Sequence, residues 1–279
     1  MKRLLRAGLR HSPRPLQVLV RQRTLLYQLT RRDVEIRYRG SSLGLLWSMI
    51  NPLFLLAVYT FVFGTIYKGN KWPGRTHTGV LDFALIIFCG LITMLLFTEP
   101  VTRSATAIVG VPNYVKKVVF PLELIPASMV FSAVFHFVMS FIILIVCALV
   151  FEGVPPVTIL ALPLALLPVV LFGLGFAWFL ASLGVFVRDL VYIVQIAVQI
   201  LLFLTPVFYP DSLVPKGARP FLLSMNPLAH AVNNVRKMVL FGGPINWGVL
   251  VAWIAVSALF AIAGFRWFTR TKTAFADVI

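Results

Sequence analysis

The chain has 279 residues, 59% of them hydrophobic and only 12% charged, with a mean hydropathy of +0.93. A soluble domain coats its surface with roughly 25% charged residues, so this composition excludes one and makes lipid the main solvent. The net charge of +16 then belongs to the ends of membrane spans, and a nucleic-acid surface is the poorer reading.

The first 40 residues form a cytoplasmic basic segment with 11 Lys and Arg and without the apolar core of a cleavable signal peptide. Pro13 and Pro15 end any earlier helix, and Gly40 breaks a later one. Between them, 16–39 reads as a helix lying flat at the interface. Val18, Leu25, Leu29 and Ile36 fall on one apolar line, and Leu16, Val20, Tyr27, Val34 and Tyr38 on a second. Gly40-Ser41-Ser42 is the expected bend into the first span, with Ser41 or Ser42 as its cap. Two compatible roles fit the arginines. They anchor the inner end of the span on anionic lipid, or Arg37 and Arg39 grip an anionic substrate head, because guanidinium groups donate in a planar fork.

Six apolar spans follow, at about 43–67, 83–106, 126–150, 157–183, 190–209 and 247–268, so 41–279 reads as one six-span unit. Glu99, Pro100 and Arg103 sit in the last turns of the second; Pro163 and Pro168 interrupt the fourth. With this threading one side of the membrane carries 18 Lys and Arg and the other 7, which places both termini in the cytoplasm. Cys89 and Cys147 lie inside apolar spans and suggest neither a disulfide nor a metal site.

Between the second and third spans, 111–124 reads VPNYVKKVVFPLEL. Asn113 is the expected cap of a short helix that Pro121 stops. Lys116, Lys117 and Glu123 would face a partner, while Val118, Val119 and Phe120 pack beneath the membrane. An ordinary loop helix with positive-inside lysines is the plainer alternative. The outer segment 210–246 is too long for a turn. Asn226 is a cap, Pro227 the first helical residue, and Gly242 follows the end. Leu228, Val232, Val235 and Val239 line one face, opposite His230, Asn233, Asn234 and Lys237.

Trp47, Phe54 and Phe61 recur at seven-residue spacing on the first span, and Tyr59, Phe63 and Tyr67 at four; Tyr192, Phe203, Phe208 and Tyr209 belong to the fifth. Such rings pack helices and mark interfaces, and they also suit the C–H faces of a moving sugar chain. Glu99 and Arg103, one turn apart, are expected to pair. His136 reads as a solitary, packed histidine, and Arg188-Asp189 as a structural pair.

The order Asp33-x-x-x-Arg37-Tyr38-Arg39-x-Ser41-x-Leu43-Gly44-x-x-Trp47-x-x-x-x-Pro52-Leu53, then Val62-Phe63-Gly64, resembles ABC-2-type permeases of polysaccharide export. Three later matches come in the same order: Asn113 through Lys116, Lys117, Phe120, Pro121 and Glu123 to Pro126; Arg188-Asp189; and Asn226-Pro227-Leu228 with Arg236 behind it. The resemblance covers about 25–270. It implies an all-α fold of six spans, with an N-terminal interfacial helix and re-entrant helices at the outer face. It also implies a homodimer in the bacterial inner membrane, carried on two copies of a separate nucleotide-binding subunit. ATP and Mg would be bound by that partner, and no cofactor by this chain. The implied substrate is a lipid-linked glycan, commonly on undecaprenyl diphosphate, and O-antigen, capsule, teichoic acid and galactan all fit. Arg37, Tyr38, Arg39, Ser41 and Trp47 would receive its head group. Asn113, Lys116, Lys117, Phe120, Pro121 and Glu123 would couple to the ATPase. Asn226, Pro227 and Arg236 would form the outer gate, and Phe54, Tyr59, Phe61, Phe203 and Tyr209 would line the channel.

The residues themselves agree on two points. No G-x-x-x-x-G-K-[ST] run occurs, so ATP is not cradled here. A membrane enzyme acting on lipid-linked sugars needs clustered acids, bases or metal ligands, and the nine acidic residues are dispersed. A permease for a drug or small lipid fits the Arg-Tyr-Arg pattern less well.

Overall fold

The computed structural model describes residues 15–62, 72, 80–116 and 120–279. Among them there are helices and turns and no strand. Two helices come first among the described residues, α1 (Pro15–Arg21) and α2 (Arg23–Tyr38), with Gln22 as a break between them. The expected interfacial helix is therefore two nearly continuous pieces. A 3₁₀ turn at Gly44–Leu46 leads into α3 (Trp47–Tyr59), and the long helix α4 spans Val80–Ser104. After the short α5 (Pro112–Lys116) come α6 (Leu124–Phe151), α7 (Leu162–Phe186) and α8 (Leu190–Leu204). The helix α9 (Pro227–Arg236), the last long helix α10 (Trp247–Thr271) and a final turn α11 (Phe275–Val278) complete the order.

Five helical stretches among the described residues are long and apolar enough to cross a membrane: Gly44–Val62, Leu81–Ser104, Leu124–Phe151, Val157–Phe186 and Trp247–Val278. The chain is thus a multi-pass membrane protein. The expected fifth span is shorter than read from sequence. α8 has 15 residues, about 22 Å at 1.5 Å per residue, against roughly 30 Å of hydrocarbon. Thr205 leaves the helical region at ψ 138° because the ring of Pro206 disfavours helical backbone in the residue before it. Residues 63–67 of the expected first span lie outside the described residues.

The centre of the bundle is α4. In its most apolar window 83% of residues are buried, against 11% for the first span. It packs against α6, α7, α8 and α9, and Leu85, Ile87, Phe88, Ile92, Met94 and Leu96 are almost wholly enclosed. α7 and α10 approach closely because neither carries a side chain at the crossing. A methyl group added at Gly264 would run into the backbone of Gly175. In lipid, where apolar burial gives no preference for helix over solvent, such small-residue contacts drive association.

Candidate functional site

The seam between the basic segment and the first span is built as a hinge. α2 ends at Tyr38, Arg39 is extended at ψ 131°, and Gly40 takes φ +86°, a left-handed conformation costly for other residues. Ser41 Oγ then accepts from the Gly44 amide at 2.9 Å and so closes the turn ahead of the helix, whereas the cap positions themselves fall on Leu43 and Leu46, without a side-chain cap bond. Arg39 and Ser41 are exposed and Trp47 is half-buried. Tyr38 is half-buried, and burial holds its phenol above the ordinary tyrosine range. Of the two apolar lines expected along the helix, Val34 is buried, whereas Leu16, Val20, Tyr27 and Ile36 are exposed. Leu26, which lies on neither line, faces the core.

Behind the hinge, two acids and two arginines from different helices meet. Arg103 of α4 makes a bidentate pair with Asp33 of α2, at 2.9 Å from Nη1 to Oδ2 and 2.5 Å from Nη2 to Oδ1. Arg37 of α2 donates to Glu99 of α4. The expected Glu99–Arg103 contact exists at 3.6 Å, but it is the weaker of Arg103's two partnerships. His136 of α6 is not solitary. Its Nδ1 lies 3.1 Å from Glu99 Oε1 and 2.8 Å from Arg37 Nη1, and Tyr38 meets its ring edge-on at 6.0 Å. Arg188 and Asp189 are exposed and form no ion pair with each other.

The loop between the second and third spans departs from expectation in two ways. Pro112, whose fixed φ suits a first helical position, starts α5, so Asn113 lies inside the first turn and is not its cap. Glu123 does not face outward. It is 8% exposed and accepts from Lys272 Nζ at 2.8 Å, while its carbonyl accepts from Trp178 Nε1. A lone buried carboxylate is costly, so it sits where a cation from the C-terminal end can reach it. Lys116 is exposed, Pro121 half-buried, and Phe120 packs on Tyr114 with ring centroids 4.7 Å apart. Lys117, Val118 and Val119 lie outside the described residues. The C-terminal end shares this cluster: Phe275 is fully buried against Phe268.

In the segment 210–246 Asn226 Oδ1 accepts from the amides of Leu228 (3.0 Å) and Ala229 (3.3 Å), with Pro227 as the first helical residue. Leu228, Val232, Val235 and Val239 are all buried, and Gly242 ends the last turn at φ +64°. The Asn226→Ala variant should lose about 1 kcal/mol, the usual worth of a helix cap; a melting curve of the purified protein unchanged from wild type would contradict this. Arg236 is the surprise. It is 1% exposed and donates to the carbonyls of Ile86 (3.0 Å), Pro206 (2.6 Å) and Val207 (2.5 Å), with its guanidinium 4.8 Å from the centre of the Trp72 ring.

Of the candidate channel rings, Phe54, Phe61 and Phe203 are 60–67% exposed on this single chain. Tyr59 is half-buried against Phe208, and the Tyr209 hydroxyl donates to the Phe203 carbonyl. Phe63 and Tyr67 lie outside the described residues. Cys89 and Cys147 are free thiols, and no group of three metal-ligating side chains occurs among the described residues.

The profile of the family described as "ABC-2 type transporter" matches residues 24–240. The chain is 29% identical over 262 residues to the O-antigen export system permease protein RfbA of Myxococcus xanthus, covering 94% of this chain and 97% of that protein. It is 25% identical over 256 residues to the protein of the same name in Klebsiella pneumoniae, covering 91% and 95%. The polysialic acid transport protein KpsM of Escherichia coli is 24% identical over 241 residues, covering 85% and 89%.

Proposed function

The chain belongs to the ABC-2 type transporter family, and on that premise we propose that it is the permease subunit of an ATP-driven exporter of lipid-linked polysaccharide. The observation that carries this is its match, over 85–94% of its length, to export permeases whose names specify O-antigen and polysialic acid. The chain has no phosphate-cradling loop, so hydrolysis falls to a partner subunit, and the exposed Lys116 beside Phe120 offers that partner a charged surface. Two copies of each subunit would form the complex. The first span and α8 expose Phe54, Phe61, Ile196 and Phe203 on the single chain, and a second copy would cover them. On this assignment α8, short as it is, supplies the remaining pass of a six-span threading, both termini lie on the cytoplasmic side of the bacterial plasma membrane, and α9 closes the outer end.

In this reading the glycan's lipid diphosphate reaches Arg37 and Arg39 at the inner interface, and the sugar chain passes between the two copies. The test is deletion and complementation. A strain lacking the permease should lose surface polysaccharide and accumulate lipid-linked glycan on the inner leaflet, and this chain with its ATPase should restore export. Normal surface polysaccharide in the deletion strain would refute the assignment, as would ATP hydrolysis by the purified chain alone.

A further inference from the structure

Arg37 already holds an anion. Its guanidinium donates to Glu99, yet its side chain remains 44% exposed while that of Glu99 is only 14% exposed. A negatively charged group arriving from the interface can therefore reach the arginine without reaching the carboxylate.

His136 makes this contact exchangeable. One ring nitrogen, Nδ1, lies 2.8 Å from Arg37 Nη1 and 3.1 and 3.3 Å from the two Glu99 oxygens. An arginine only donates and a carboxylate only accepts, so Nδ1 cannot serve both. Without a proton it accepts from Arg37; with one it donates to Glu99. While Arg37 is docked the ring proton belongs on Nε2, and Nε2 is buried with no hydrogen-bond partner among the described residues. Nε2 is without a partner in either tautomer, so the choice rests on Nδ1, which accepts while Arg37 is docked and is free to donate once Arg37 leaves. The ring can then move its proton to Nδ1, an exchange of tautomers with no net proton gained or lost, and donate to Glu99.

Glu99 is not stranded by the exchange, since Arg103 remains 3.6 Å away. Nor is the helix released, because the bidentate Asp33–Arg103 pair still holds α2 to α4. Two anchors on one helix thus differ in kind: one pair is double and remains in place, the other is single, exposed and backed by a substitute.

We propose that Glu99 is an internal placeholder for the substrate's diphosphate, holding Arg37 at the inner interface until an anionic head displaces it, and that His136 takes over Glu99 when that happens. This rests on the reading of Arg37 as a head-group ligand and adds its control. Glu99 and His136 are positioning residues, acting on the substrate only through Arg37.

The experiment titrates the whole permease–ATPase complex in lipid nanodiscs with farnesyl diphosphate as the probe. Arg37→Gln should weaken binding at least tenfold. Glu99→Gln, which removes the competitor, should tighten it roughly three- to tenfold, and the double variant should bind no better than Arg37→Gln. His136→Ala should weaken binding several-fold, because Glu99 then loses its substitute partner. Unchanged binding in Arg37→Gln overturns the head-group reading itself. Weakened binding there with no tightening in Glu99→Gln overturns only the placeholder. Should Glu99→Gln fail to assemble, ¹⁵N-histidine spectra of the wild-type complex decide. Addition of the probe should move the His136 proton from Nε2 to Nδ1, and an unchanged tautomer would end the proposal.

Discussion

Export of lipid-linked glycan should fall below detection when Arg37 and Arg39 are both replaced by Gln, while membrane insertion and assembly with the ATPase persist. Arg39 sits at the extended end of α2, exposed and without an ion pair among the described residues; Arg37 is held by a single exchangeable contact. Neither is the chief tie between the basic segment and the bundle, which is the Asp33–Arg103 pair. Each charge-assisted contact to a diphosphate is worth about 1.5–3 kcal/mol, so losing two lowers occupancy by roughly two to four orders of magnitude. Lys at both positions should rescue only in part, keeping the charge and losing the fork. The measurement is surface glycan in cells whose mutant complex co-purifies normally. Wild-type export from the double Gln variant would leave these arginines as topology anchors.

The sequence disclosed the elements better than their partners. Apolar run length located the five long spans, and the Asn226-Pro227 cap with the Leu228, Val232, Val235, Val239 face located α9, because these signals are local and periodic. Ends governed by local chemistry were missed where a proline decided them: Pro206 shortens α8, and Pro112 moves the start of α5 ahead of Asn113. The ion pairs were mostly illegible. Arg37–Glu99, Arg103–Asp33 and Lys272–Glu123 join residues 62, 70 and 149 positions apart, and a sequence states valence without saying who is within reach. One signal was nonetheless present. Nine acids stand among 25 Lys and Arg in a chain solvated by lipid, and every acid at or in the bundle needs a cation to offset desolvation. Glu99 and Glu123 could each have been read as half of a tertiary pair. Reading Glu123 as an outward-facing coupling residue overlooked that cost, and what is left for the proposed coupling is the exposed Lys116 with the Tyr114–Phe120 ring pair.

Arg236 should prove the least replaceable side chain of the segment 210–246, and Lys should be a worse substitute than Met. The guanidinium joins three backbone carbonyls on two segments: Ile86 in α4, and Pro206 and Val207 after α8. No carboxylate pairs with it among the described residues. Its charge is thus offset by carbonyl dipoles and the Trp72 face, an arrangement that needs donors spread in a plane. Met fills the volume and removes the charge. It leaves the Pro206 and Val207 carbonyls, which lie outside any helix, without this donor, at about 1–3 kcal/mol each; Ile86 lies inside α4, where the helix supplies another donor. Some of that loss is recovered because a buried charge no longer has to be desolvated. Lys recovers nothing. It keeps a charge that is more strongly hydrated than guanidinium, and its compact head cannot span both segments. Gly90→Ala offers an independent check, since the added methyl would sit 2.5 Å from Arg236 Nη2 and push the fork off its acceptors without altering the charge. The expected order of thermal stability of the purified protein is wild type, then Met, then Lys, with the alanine at Gly90 also destabilised and export falling in step. Equal melting of wild type and Arg236→Met, or a Lys variant more stable than Met, would show that the carbonyl cage does not hold α9 to α4 and the end of α8.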